Sequence, residues 1–178
     1  MIMDFHPIIV HFPVALLTLY AILEIFNLKI LTRQIFYGRL KGTLVILGSL
    51  GALAALPTGK TAAEFQIGPL KSGSFVNLIQ THALWATIAA WIFSLLAAAY
   101  LIGWLKEKLP PIKGFGPLEK FIALIFWLPR LILKTPLKYL LALLGLISIT
   151  ITGALGGALV YGPNVDPLVK IIYRLLIK

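Results

Sequence analysis

Four long apolar stretches constrain this 178-residue chain more than any other feature of its sequence. A helix needs about 20 apolar residues to cross about 30 Å of hydrocarbon. We predict spans at residues 7–26, 42–56, 78–105 and 139–161. The second is short unless it continues through residues 58–64 as an extramembrane turn or helix. Hydrophobic residues make up 60% of the chain and charged residues 12%, far from the balance of soluble domains. The sequence therefore predicts an all-α integral membrane protein with one domain, a four-helix transmembrane bundle.

Two further segments carry apolar residues but lack the properties of a span. Residues 121–133 contain Pro129-Arg130 and are joined to the fourth span by a connection too tight for a comfortable re-crossing, so we predict an interfacial helix in the third loop. At the C-terminus, Asp166-Pro167 is a cap followed by proline at the first helical position. Basic residues then recur every four positions opposite leucines and isoleucines. This pattern predicts a second interfacial helix.

The positions of the lysines and arginines indicate how the spans are oriented. Most of the 16 lie in two connections: Lys29, Arg33, Arg39 and Lys41 in the first, and Lys106, Lys108, Lys113, Lys120, Arg130, Lys134 and Lys138 in the third. Loops rich in these residues stay in the cytoplasm. We therefore predict that both loops are cytoplasmic and that both termini lie outside. A five-span arrangement would instead place the C-terminal helix inside.

All three histidines lie near the outer ends of predicted spans. His6 and His11 stand at the start of the first span, and His82 is one turn into the third. We expect His11 and His82 at similar depth on different helices, whereas His6 is about a turn and a half shallower. Glu64 is the only carboxylate in the outer loop between the second and third spans.

This grouping of polar side chains is compatible with three kinds of site. Two imidazoles at equal depth, with small residues between them, suit a b-type haem, whose propionates could meet Lys60, Lys71 or Tyr161. The three histidines with Glu64 could instead bind a zinc, copper or iron ion. In the third interpretation the histidines cap and connect helices and bind no cofactor.

The haem and metal-ion interpretations assign different roles to these residues. With haem, His11 and His82 are the predicted axial ligands, and His6 is a partner of a ligand or a propionate. Glu64 then accepts a hydrogen bond that orients an imidazole. With a bare metal ion, all three histidines and Glu64 contribute about equally.

The first span opens with a distinctive motif, because residues 6–13 read His-Pro-Ile-Ile-Val-His-Phe-Pro. This segment closely resembles the signature of the domain-of-unknown-function family numbered 2231, small four-span prokaryotic membrane proteins sometimes fused to c-type cytochrome domains. The likeness continues at residues 57–64, at His82-Ala83 and at residues 156–161. Relatives often carry a histidine after that last tyrosine, where this chain has Gly162-Pro163-Asn164. The resemblance implies a four-helix fold with its histidines on one side, and the cytochrome fusions favour a redox role.

Other functional classes find little support. The chain has no G-x-S-x-G, P-loop or H-E-x-x-H motif. It has no cysteine, which excludes thiolate metal sites and covalently attached c-type haem. Its basic residues lie in loops beside spans, which argues against a nucleic-acid partner. Glu24, near the cytoplasmic end of the first span, is expected to snorkel or to pair with a loop cation, so transport ranks third.

We therefore expect a multi-pass protein of a prokaryotic plasma membrane, surrounded by the lipid bilayer. Its predicted function is electron transfer through a haem or metal ion near the outer face, within a larger membrane complex or with a c-type cytochrome. A non-catalytic membrane anchor or assembly subunit is the alternative. A redox or structural subunit is favoured over a stand-alone enzyme.

Overall fold

A computed structural model of the chain describes residues 6–26, 31, 33–66, 73–108 and 117–177. These residues form six α-helices, numbered in chain order: α1 His6–Phe26, α2 Tyr37–Gln66, α3 Gly73–Lys108, α4 Pro117–Leu133, α5 Leu137–Tyr161 and α6 Pro167–Leu176. Within the described ranges there is no β-strand. The helices α1, α2, α3 and α5 are long and apolar enough to cross a membrane. The predicted all-α class with four spanning helices is confirmed.

The spanning helices are longer than the apolar stretches that predicted them. The second span, expected at 42–56, belongs to a helix that begins at Tyr37 and continues through Pro57. The third begins at Gly73 rather than at residue 78. The position of a residue along its helix is therefore misjudged when it is counted from the end of an apolar stretch. His82, expected one turn into its helix, lies more than two turns into α3.

The four spanning helices form an antiparallel bundle in which α1 and α3 lie on one diagonal and α2 and α5 on the other. Both α1 and α3 pack against both members of the other diagonal. Contacts run in opposite directions along α1 and α2, where Leu17 meets Gly48 and His6 meets Gly59. A Cβ on Gly48 would lie 2.6 Å from Cδ2 of Leu17. The missing side chain therefore allows the two helices to approach closely.

Large side chains fill the interior of the bundle between its two ends. The Tyr20 ring packs edge to face with those of Phe93 and Tyr100, with ring centroids 6.2 Å apart in both pairs. The outward surface is apolar as well, and Trp91 on α3 is 69% exposed. Apolar exposure of this extent is unfavourable in water and is expected where helices face lipid.

The short helix α4 packs against the last turns of α3. It contains the predicted interfacial run, residues 121–133. A Cβ on Gly103 of α3 would lie 3.7 Å from Pro129, and Ile132 is buried in the bundle core. With 17 residues, α4 is shorter than the about 20 that a span requires. The expected helix is present, and its placement at the membrane surface stays a prediction.

The C-terminal helix α6 begins as its sequence predicts. The Asp166 side chain accepts a 2.9 Å hydrogen bond from the Val169 amide, and Pro167 occupies the first turn. Val169 is buried in a hydrophobic cluster that includes Leu78 of α3 and Ala154 of α5. The helix α6 therefore lies against the bundle at the end of α5 where the chain leaves the last span.

Candidate cofactor site

The inner face of α1 carries polar residues at its two ends. Pro13, Leu17, Tyr20 and Glu24 are buried at helical intervals, and His6 continues the same face toward the N-terminus. His6 and Glu24 are separated by about 27 Å along an ideal helix, close to the about 30 Å thickness of a bilayer core. The bundle therefore has one polar layer near each membrane surface.

The His6 ring lies against α2. Its Nδ1 is 2.9 Å from Oγ1 of Thr58, and this hydroxyl donates its own hydrogen to the Ala55 carbonyl at 2.8 Å. The hydroxyl oxygen is therefore the acceptor and His6 Nδ1 the donor, which places the lone pair of the ring on Nε2. Gly59 is required for this position, because a Cβ there would lie 2.9 Å from Cε1 of His6.

The His82 ring, on α3, lies against α5 in the same way. Its Nδ1 is 3.0 Å from the backbone oxygen of Thr152. A carbonyl oxygen only accepts hydrogen bonds, so His82 Nδ1 carries the proton and Nε2 carries the lone pair. One turn further along α5, a Cβ on Gly156 would lie 3.3 Å from Cε1 of His82. A glycine thus lies beside each imidazole.

His6 and His82 occupy the same end of the bundle, on the diagonal pair α1 and α3. The hydrogen-bond acceptors and the glycines that they contact belong to α2 and α5. Each of two spanning helices thus contributes one imidazole whose lone pair is on Nε2, a type of donor suited to a metal centre that takes two nitrogen ligands.

His11 lies on the outward face of α1 and not in this layer. It is exposed, as is Ile8, and its Nδ1 donates to the carbonyl of Pro7 in its own helix. His6 and His82 therefore lie in one polar layer, whereas the predicted ligands His11 and His82 do not. Five residues along a helix correspond to a rotation of about 140°, so packing that turns His6 inward turns His11 outward.

The other predicted site residues are exposed where the structure describes them. Lys60 and Glu64 lie in the last turns of α2, and Tyr161, which is 75% exposed, ends α5. Lys71 lies outside the described residues. In the described part of the chain, no three His, Asp or Glu side chains come close enough to hold a metal ion. The expected four-ligand set is thus not assembled among these residues.

A second polar cluster occupies the opposite end of the bundle. Glu24 is fully buried, with its carboxylate 2.8 Å from Lys41 Nζ and 3.4 Å from Lys138 Nζ. The Tyr100 hydroxyl donates to the same carboxylate over 3.2 Å. Each spanning helix contributes one of these four groups. Glu24 therefore pairs with two of the cations that the sequence assigned to loops, as expected, and does not snorkel. In the structure these two lysines belong to the first turns of α2 and α5.

The sequence predicted a loop cation for Glu24 without identifying which one, and it did not predict the hydrogen-bond partners of the histidines. For Glu24 a signal existed, because a lone carboxylate inside an apolar span requires a cation, and Lys41 and Lys138 begin spans on the same membrane side. For the histidines the signal was weak. Thr58 is one hydroxyl among several, and the acceptor at Thr152 is a backbone carbonyl that any residue would supply.

Comparisons of the chain with protein-family models, with curated proteins and with solved structures give no match in any of the three. This result neither supports nor contradicts the resemblance to the domain-of-unknown-function family numbered 2231. The function is therefore inferred from the geometry of the bundle and from the chemistry of its two polar layers.

Proposed function

We propose that this chain is a membrane electron-transfer subunit that binds a b-type haem through His6 and His82. The observation that carries the proposal is the matched geometry of the two rings. Each Nδ1 donates a hydrogen bond to an oxygen on a neighbouring helix, and the nitrogen–oxygen distance is 2.9 Å for His6 and 3.0 Å for His82. Such bonds are typical of histidines that bind a metal through Nε2, because they set the tautomer and the orientation of the ring.

The number of protein donors favours haem over a bare ion. A protein-bound zinc, copper or iron ion commonly takes three or four protein ligands, whereas a porphyrin supplies four nitrogens and needs only two axial ligands. The described residues assemble no group of three His, Asp or Glu side chains. Two imidazoles on facing helices are what a six-coordinate haem requires from the protein.

The residues of the chain would position such a group and control its surroundings. The Thr58 hydroxyl and the Thr152 carbonyl fix the two rings and increase their basicity as ligands. Lys60 and Tyr161, exposed on the same side of the bundle, remain candidates for propionate contacts. When bound, a bis-imidazole haem supplies one-electron transfer. A location near the outer membrane surface suits exchange with a further membrane subunit or a c-type cytochrome.

Absorption spectra of the purified full-length protein test the proposal. The oxidised protein is expected to show a Soret band, and reduction with dithionite should produce the sharp α band of low-spin haem. The His6→Ala and His82→Ala variants should each lose the low-spin spectrum. The matched control is His11→Ala, which changes an exposed histidine of the same helix and should retain it. Loss of the spectrum in the control with retention in His6→Ala would contradict the assigned ligands.

A non-catalytic membrane anchor is the second candidate, and one observation favours it. The His6–Thr58 and His82–Thr152 bonds each connect two spanning helices, so both rings have a structural role without a cofactor. In that case the wild-type protein shows no Soret band even after incubation with hemin. The two histidine variants would then differ from wild type in thermal stability alone.

A further inference from the structure

The amphipathic helix α6 presents three different faces. Val169 and Ile177 are buried against the bundle. Leu168, Ile171 and Leu175 form an exposed apolar stripe, with Leu175 71% exposed. Lys170 and Arg174, one turn apart, lie between these two faces. One apolar face of α6 therefore packs on the bundle, a second apolar face is exposed, and the basic face lies between them. This is the pattern of an interfacial helix.

The basic side of α6 borders a cavity. The cavity has a volume of about 230 Å³ and is lined by Pro163, Asn164, Lys170, Tyr173 and Arg174. Its wall opposite α6 is the turn that follows Gly162, whose φ of 90° reverses the chain after the last span. Two cations, a phenol ring and an amide thus surround a space large enough for a small anionic group.

The two cations have no acidic partner among the described residues. The ion pairs among the described residues are the two formed by Glu24, which lies at the opposite end of the bundle from α6. Asp166, the nearest carboxylate in sequence, caps α6 through its bond to the Val169 amide. Among the described residues, no carboxylate pairs with these two cations, and this positive charge favours an anionic ligand.

The depth of α6 places this charge at the level of lipid headgroups. Val169 contacts Gly157, which lies in the last turns of α5, and α5 is one of the four helices long enough to span. Headgroups begin where the apolar part of a span ends. The exposed stripe of Leu168, Ile171 and Leu175 lies beside the two cations on the same helix, so a single molecule with an anionic group and acyl chains would contact both.

We propose that Lys170, Tyr173 and Arg174 form a binding site for the phosphate group of an anionic phospholipid, with its acyl chains along the exposed stripe of α6. The proposal is independent of haem binding. A phosphodiester accepts hydrogen bonds from both cations, and the apolar stripe adds contacts that free phosphate and an acidic peptide cannot make.

Native mass spectrometry of the full-length protein in detergent tests this site. Phosphatidylglycerol and phosphatidylcholine of matched acyl chains are titrated, and the dissociation constant of the first bound lipid is measured. Each cation is expected to contribute about fivefold, so the variant K170Q/R174Q should bind phosphatidylglycerol about 25-fold more weakly. The affinity for phosphatidylcholine should fall less, because its choline cation offsets the charge of the phosphodiester.

Matched variants separate this site from general charge effects. R33Q/R39Q removes two exposed cations at the opposite end of the bundle and should leave the first phosphatidylglycerol affinity within about twofold of wild type. I171S/L175S keeps the cations and should weaken both lipids. An unchanged affinity in K170Q/R174Q, or an equal loss in R33Q/R39Q, would overturn the proposal.

Competition distinguishes the lipid from other anions. Millimolar inorganic phosphate or a hexaglutamate peptide should not displace the first phosphatidylglycerol, because neither contacts the apolar stripe. Displacement by phosphate would identify a site for a free anion, and displacement by the peptide would identify a surface for an acidic protein. Either result would contradict a lipid site.

Discussion

Glu24 of α1 and Lys41 of α2 form an ion pair of 2.8 Å in which both side chains are buried. Lys138 of α5 and the Tyr100 hydroxyl of α3 complete this layer. The opposite layer, with His6 and its partners, also draws on all four spanning helices. Polar contacts thus hold both ends of a bundle whose middle is apolar, and they restrict how the helices can rotate about their axes.

Removing Lys41 should destabilise the protein strongly. Among the described residues, Lys41→Met leaves the buried Glu24 carboxylate with Lys138 as its one cationic partner. Breaking a buried pair typically costs about 3 to 5 kcal/mol. Thermal unfolding in detergent measures the loss. The double variant Glu24→Met/Lys41→Met removes both charges and should recover much of the stability, which a double-mutant cycle quantifies. Additive effects in that cycle would show that the two residues do not interact.

Two glycines of α5 should respond oppositely to a methyl group. In Gly145→Ala, the new Cβ would lie 2.6 Å from Cζ of the fully buried Phe93, so we expect a loss of about 1 to 3 kcal/mol. In Gly153→Ala, nothing lies within 4 Å, and the better helix former should leave stability unchanged or raise it by up to about 1 kcal/mol. Thermal unfolding of the two variants side by side measures the difference. Equal behaviour would contradict the packing of α3 against α5.

Thr58 should influence the proposed cofactor site without contacting the cofactor. Thr58→Val keeps the shape of the side chain and removes the acceptor for His6 Nδ1. Loss of such a partner typically lowers metal affinity about 10- to 100-fold. Hemin titration followed by the Soret band measures this change. Thr61→Val removes a threonine hydroxyl one turn further along α2 that bonds its own helix, and should leave the affinity unchanged.

The distribution of basic residues, combined with the antiparallel bundle, predicts which end of the bundle faces each side of the membrane. Gln34 precedes α2 at the end with Glu24, and Asn164 follows α5 at the end with His6. Single cysteines introduced at Gln34 and Asn164 should react with a membrane-impermeant maleimide from opposite sides of the membrane, with Asn164→Cys labelled from outside. Labelling of both from one side would contradict four spans.

Features that depend on local sequence could be predicted well. The length of the apolar runs identified four spans because crossing a bilayer requires a minimum number of apolar residues in one stretch. Asp166-Pro167 marked the start of α6 because a side-chain cap acts on the amides of the next turn. The first residues of α2 and α3 were misplaced because hydropathy indicates where lipid contact begins, and a helix can extend beyond that point.

The identity of the facing residues was decided by tertiary structure. Depth along the sequence pairs His11 with His82, but rotation of α1 decides which histidine faces the bundle. That rotation follows from the packing of α1 against α2, where Gly59 provides room for the His6 ring. A sequence determines which side chains share a helix face, whereas the face turned inward depends on the shape of the neighbouring helix.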